Sequence, residues 1–254
     1  MLVLETVGAP ARRRRRVFGR GGAAARRAEP RPEPTPVPVT VATLVGAMPL
    51  AGHDEASAWL ETADLEAEAH AAVDVLNRVL HAQRLVSADP FVREVLPEQA
   101  LVIRVGVGLG EEVAHGHWTD ARTLAPHRTA VPRRVHALRP QERFAALLAG
   151  RDVALAAEEL TLRARLDLDR GRTREAALQL RVALEAALSE LQAWSHRPEM
   201  ATRLAELREE RGAVAAAANR AVEGGLDATQ IADVQRVVGR LEAALTARVA
   251  GGME

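Results

Sequence analysis

Glu112, His115 and His117 lie within six residues of one another, and a carboxylate with two imidazoles is a donor set for a divalent metal. On a helix, Glu112 and His115 would share a face three residues apart, which is half of a carboxylate-bridged di-metal site. The other half, a second Glu-x-x-His, does not occur in the sequence. Glu66, Glu68 and His70 have the wrong spacing, so only a tertiary approach of His81 to Glu68 would enlarge the set. Glu112, His115 and His117 are therefore the metal candidate. Nothing else in the sequence asks for a cofactor.

A second chemistry is electrostatic. Arg12, Arg13, Arg14, Arg15 and Arg16 form an unbroken run, followed by Arg20, Arg26, Arg27 and Arg31. Guanidinium groups stay charged and grip phosphate oxygens in pairs, so these side chains are the candidate polyanion site, for nucleic acid or polyphosphate. Only Phe18 interleaves with them, which gives no platform for base stacking. Catalytic nucleophiles are scarce. The chain has no cysteine and no lysine, its four serines lie in no Gly-x-Ser-x-Gly elbow, and no acid–base constellation is evident. Gly106-x-Gly108-x-Gly110 resembles a phosphate loop but lacks the lysine and hydroxyl of a P-loop, so close helix packing is the expected role of these glycines.

The elements that must hold these residues follow from composition and periodicity. All 34 cations are arginine, balanced by 34 acids, and aromatic residues make up 2% of the chain. Abundant Ala, Leu, Arg and Glu with few aromatics favour helix over sandwich or barrel. The neutral total conceals polarity: residues 1–40 carry nine arginines against three acids, net +6, and residues 41–254 carry the opposite excess. Residues 1–40, with Pro30, Pro32, Pro34, Pro36 and Pro38, read as a disordered basic arm. Arg15-Arg16-Val17-Phe18 starts like a twin-arginine export signal, but a glycine- and arginine-rich stretch follows in place of an apolar one. No run is apolar enough for a membrane span, and a cytoplasmic location is expected.

Residues 41–116 read as an N-terminal helical region. Its segment 53–75 holds seven acids and no arginine, suited to a basic partner, and a helix is expected from about Thr62 to Val86. Asp89-Pro90 predicts a short restarted helix. Leu101 to Leu109 alternates like a strand, yet it also carries a helical stripe and small residues four apart; helix is favoured. Residues 117–138 read as a basic connector, and 139–254 as a C-terminal helical bundle. There, Ala177, Leu180, Leu184, Ala187, Leu191 and Trp194 recur every three or four residues, and Asp227 is placed to cap the last helix. Arg211 falls on an apolar stripe and suggests a snorkelling side chain or a polar contact between helices.

Within that bundle, Ala164, Gly171, Ala176, Leu180 and Ala183 match in type and spacing the packing positions of a tetratricopeptide repeat, and the hairpin 152–196 resembles a single unit of that family. Asp167, Arg163 and Leu188 depart from its pattern, and no second unit follows in either direction. The resemblance implies an αα-hairpin with Ala164, Gly171, Ala176, Leu180 and Ala183 at the helix contact.

The sequence thus predicts a mainly α protein: a helical bundle or stack of αα-hairpins behind a disordered N-terminal arm. Without a catalytic constellation, the expected function is protein–protein interaction or scaffolding through helical surfaces, with a protein partner or a homo-oligomer. Binding of nucleic acid through the arginines is the alternative, and metal-dependent catalysis a distant third.

Overall fold

Apolar residues repeating every three or four positions wind into helices, and they do so over most of this chain, which is mainly α. The computed structural model describes residues 1–8, 37–46, 48–125 and 140–251. They belong to two compact units, residues 1–129 and 130–254.

In the first unit, β1 (Leu2–Val7) pairs antiparallel with β2 (Val39–Leu44), from Leu2↔Leu44 to Val7↔Val39. Helices α1 (His53–Thr62) and α2 (Leu65–Val86) follow. Asp64 separates them and caps α2 by accepting the Ala67 N–H at 3.0 Å. Residues 89–96 are not helical. The Phe91 N–H bonds the Asp89 carboxylate at 2.9 Å, and buried Asn77 on α2 clamps Val95 through both its backbone groups, at 2.9 and 2.8 Å. The helix expected after Asp89-Pro90 is therefore absent: this amide clamp meets the backbone needs of an extended segment instead. A 3-10 turn at Pro97–Gln99 leads into β3 (Ile103–Val107), which pairs antiparallel with β4 (Asp120–Leu124) across a second 3-10 turn, Glu111–His115.

Four expectations are corrected by these strands. Residues 103–107 form a strand and not a helix, so the region 41–116 is mixed. Its partner, Asp120–Leu124, comes from what read as connector. The ends of the supposed arm, residues 2–7 and 39–40, are strands paired across the chain; residues 9–36, with the arginine run, lie outside the described residues. The glycines also have a different task. A β-carbon on Gly106 would come within 2.6–2.9 Å of the Asp120 carbonyl, Ala121 and the Trp118 ring, and one on Gly108 would meet Val113 at 2.7 Å. They let a strand and a turn approach closely, where helix–helix packing was expected.

The second unit consists of α3 (Pro140–Leu148), α4 (Ala156–Asp169), α5 (Thr173–Glu190), a 3-10 turn Leu191–Trp194, α6 (Pro198–Glu209), α7 (Arg211–Glu223) and α8 (Ala228–Gly251). Helices α4 and α5 form a hairpin, α5 packs on α7, and α8 lies against α4, α5, α6 and α7. The core is one cluster of alanine, leucine and valine drawn from α4 to α8, including Leu180, Leu184, Leu204, Leu207, Val237 and Leu241. Small residues let the helix axes come close, and fully buried leucines fill the gaps between them. Helices α6 and α7 follow one another without a loop, meeting at Glu210. The Asp227 carboxylate caps α8, accepting the Gln230 N–H at 2.8 Å, while the Gln230 side chain returns to the Asp227 N–H at 3.1 Å. Among the described residues, no helix is long and apolar enough to cross a membrane.

Candidate interaction surfaces

The histidine cluster sits on the 3-10 turn that closes the β3–β4 ribbon. His115 Nδ1 meets the Glu5 carboxylate of β1 at 2.5 Å, and His117 Nδ1 meets that of Glu112 at 2.6 Å. Glu112 and His115, three apart in a 3-10 turn, lie on one side of it but take different partners, and Gly116, at φ +79°, redirects the chain before His117. Each imidazole is thus engaged by a different carboxylate. Among the described residues, no three or more His, Asp or Glu side chains converge as metal ligands. His81 lies on α2 with its Nδ1 buried and without a hydrogen-bond partner. The Glu5–His115 contact joins residues 110 apart and ties the β1–β2 ribbon to the turn; spacing along the chain gives no hint of it.

Arg12, Arg13, Arg14, Arg15, Arg16 and Arg20 lie outside the described residues. What the structure adds is their anchorage, since Val7 before them and Val39 after them are paired. The arginines therefore fall in a connection between paired strands. Nearby in sequence, α1 and the start of α2 carry the acidic run, and Asp54, Glu61, Glu66 and Glu68 have no cationic partner among the described residues.

In the second unit, Ala164, Ala176, Leu180 and Ala183 are fully buried in the α4–α5 contact. Gly171, at φ +69°, turns the chain between them, with its N–H on the Leu168 carbonyl at 3.0 Å and the Arg172 N–H on that of Asp167 at 2.8 Å, a Schellman closure. Asp167, which departs from the repeat pattern, has a local use: its carboxylate accepts from Arg172 Nε at 2.7 Å and clips the turn. At the far end of the hairpin, the Glu190 carboxylate accepts the free N–H groups of Ala156 and Ala157 at 3.1 and 3.0 Å, capping α4 from the end of α5.

Two charge networks hold the bundle together, and neither is evident from local spacing. Arg248, 6% exposed, lies 5.0 Å from the centre of the Trp194 ring and bonds the Asp152 carboxylate at 2.5 Å and the Val153 carbonyl at 3.2 Å. Arg143 bonds the same aspartate at 3.2 Å and Glu158 at 2.6 Å. Burial raises the pKa of Asp152, but the Val153 N–H, Arg143 and Arg248 outweigh it and hold the carboxyl below its ordinary value. At the α6–α7 junction, the buried Glu210 receives both Arg236 and Arg240 from α8. Arg211 bridges helices, with two bonds to Glu185 of α5 at 3.0 and 2.6 Å.

Outward from this core, α4 presents Leu162 and Leu166, and α5 presents Leu178 and Val182, which are 64%, 43%, 41% and 56% exposed. On each helix the pair is four residues apart and opposite the buried face. Comparison with protein-family models, curated proteins and solved structures finds no match to this chain.

Proposed function

We propose that this protein is a non-catalytic interaction or scaffold protein that works through its helical surfaces. The observation that carries this reading is that Leu162 and Leu166 on α4, and Leu178 and Val182 on α5, stand exposed on helices whose opposite sides are packed into the core. Apolar side chains arranged four apart on neighbouring helices suit the face of another helix, from a partner protein or a second copy. The tetratricopeptide-like reading of this hairpin belongs to the same proposal, with Ala164, Gly171, Ala176, Leu180 and Ala183 as its packing positions. The test is co-purification from the native host with mass spectrometry, together with light scattering of the purified protein. Leu166→Asp with Val182→Asp should abolish the association and leave the helical circular dichroism unchanged. A wild-type protein that stays monomeric and retains no partner overturns the reading.

A second reading, polyanion binding through Arg12–Arg16 and Arg20, is favoured by the pairing of Val7 with Val39, which anchors both ends of the arginine-bearing connection. Replacing residues 9–36 with a Gly-Ser linker should remove salt-sensitive binding to DNA or RNA.

A further inference from the structure

The β1–β2 ribbon has an edge that the rest of the described chain leaves free. The Met1 nitrogen donates to the Val45 carbonyl and the Val45 N–H to the Met1 carbonyl, each at 2.8 Å. In an antiparallel ladder such pairs alternate with pairs whose backbone groups face away from the neighbouring strand. By the register, Val3–Thr43, Glu5–Val41 and Val7–Val39 bond inward. The N–H and C=O groups of Thr40, Ala42 and Leu44 therefore point out of the β2 side of the ribbon, and no hydrogen bond between described residues uses them. The 3-10 turn Glu111–His115 touches β1 and β2 alike, so it lies across a face of the ribbon and not along this edge.

The strand on this edge is unprotected. It reads Val-Thr-Val-Ala-Thr-Leu, without charge, proline or glycine, and Val39, Thr40, Val41 and Ala42 are exposed. Natural edges are ordinarily guarded by a charge, a proline or a bulge, and the unbroken register of β2 contains none. Two strands alone are marginal in water, and a sheet gains stability from further strands. The residues of β2 then select what adds. Pro38 has no N–H, so the outward ladder starts at Thr40. A second copy laid antiparallel with Ala42 opposite Ala42 sets Thr40 against Leu44 and Val41 against Thr43. Each outward group then finds a mate, no charge meets a like charge, and the two-fold axis closes the pair. The other edge suits this less, because β1 carries Glu5 between its outward-facing positions, with its carboxylate on His115.

We propose that β2 is a self-association edge: two copies of this chain pair antiparallel through Thr40, Ala42 and Leu44 and form one sheet in the order β1-β2-β2-β1. This surface is separate from the exposed residues of α4 and α5, and it does not rest on them.

The test is sedimentation velocity of the full chain from about 0.01 to 1 mM, over which the wild type should pass from monomer to dimer. Ala42→Pro removes an outward N–H, leaves the bonds to β1 in place, and should weaken the dimer at least about tenfold. Ala42 meets its own copy across the axis, so Ala42→Arg and Ala42→Glu should each weaken self-association about tenfold, and mixing the two variants should restore a heterodimer. Circular dichroism of all three checks that they are folded. A wild type that stays monomeric by about 1 mM, a dimer that tolerates all three substitutions, or charge variants that do not recover on mixing overturns the proposal. If the wild type is monomeric and replacing residues 9–36 with Gly-Ser makes it dimerise, that connection covers the edge, which equally overturns the assignment to a second copy. Association that survives Ala42→Pro and is lost with Leu166→Asp and Val182→Asp belongs to the helical surfaces, so the two proposals fail separately.

Discussion

Residues 1–129 and residues 130–254 form separate compact units that treat their apolar side chains in opposite ways. In the second unit, helices α4 to α8 bury a continuous cluster, in which leucines and valines interlock with fully buried alanines. In the first, the buried apolar residues among those described are Leu60, Ala69 and Ala114, while Leu4, Leu85, Phe91, Leu101 and Leu109 remain exposed. Geometry explains the difference. A long helix presents a complete apolar stripe, and five such stripes can enclose a core. A ribbon of two strands has no third strand, and the helices α1 and α2 that contact β3 and β4 leave most of their side chains only half-buried. Polar contacts do much of the joining in the first unit: Asn77 to Val95 and Glu5 to His115 connect elements that little apolar surface holds.

The comparison is sharpest where a core leucine is removed from each side. Leu204→Ala opens a cavity in the enclosed cluster and should cost about 2–5 kcal/mol of stability in denaturant unfolding followed by helical circular dichroism. Leu60→Ala, among more exposed neighbours that can collapse, should cost less; equal losses would mean that the first unit is as enclosed as the second. Next in size is the Arg248 network. Arg248→Ala leaves Asp152 and Glu158 partly buried with Arg143 alone and should destabilise by about 3 kcal/mol. The same network predicts a pH dependence. The Asp152 carboxyl is held below its ordinary 3.8 in the folded state, so its stabilisation is complete at neutral pH. It is lost as pH falls below that value through the lowered one. Asp152→Asn should therefore flatten the acid limb of a thermal-stability profile below about pH 4, and an unchanged limb would remove Asp152 from the account. The smallest effect belongs to the hairpin turn. Gly171→Ala places a β-carbon in open space but at φ +69°, and should cost about 1 kcal/mol, visible as a lower melting temperature. No change there would show that the turn shifts freely and that the α4–α5 face is less rigid than its packing implies.

Elements whose evidence is local were legible in the sequence. The three–four spacing from Ala177 to Leu191, the cap at Asp227, the turn at Gly171 and the helix ending at Val86 can each be read within one or two turns of chain. The β3 strand was half legible: Leu101 to Leu109 alternate strictly, but the partner Asp120-Ala121-Arg122-Thr123-Leu124 has no apolar alternation and looks like connector. The β1–β2 ribbon was not legible, since its strands are separated by a proline- and arginine-rich stretch that gives no pairing signal.

For the candidate surfaces, the residues were legible but their partners were not. The sequence supplied Glu112, His115 and His117 but not Glu5. By itself, the sequence determined that this chain is mainly helical, that its charge is divided between a basic and an acidic region, and that alanine and leucine stripes cover the back half, because hydrogen bonding and periodicity within a few residues set all of these. Only the tertiary structure decided that Arg248 reaches Asp152 96 residues away, that Glu210 receives two arginines from another helix, and that Asn77 clamps Val95. The Arg248 and Glu210 contacts depend on where distant segments are brought together, and that follows from packing the whole unit, which no local pattern encodes.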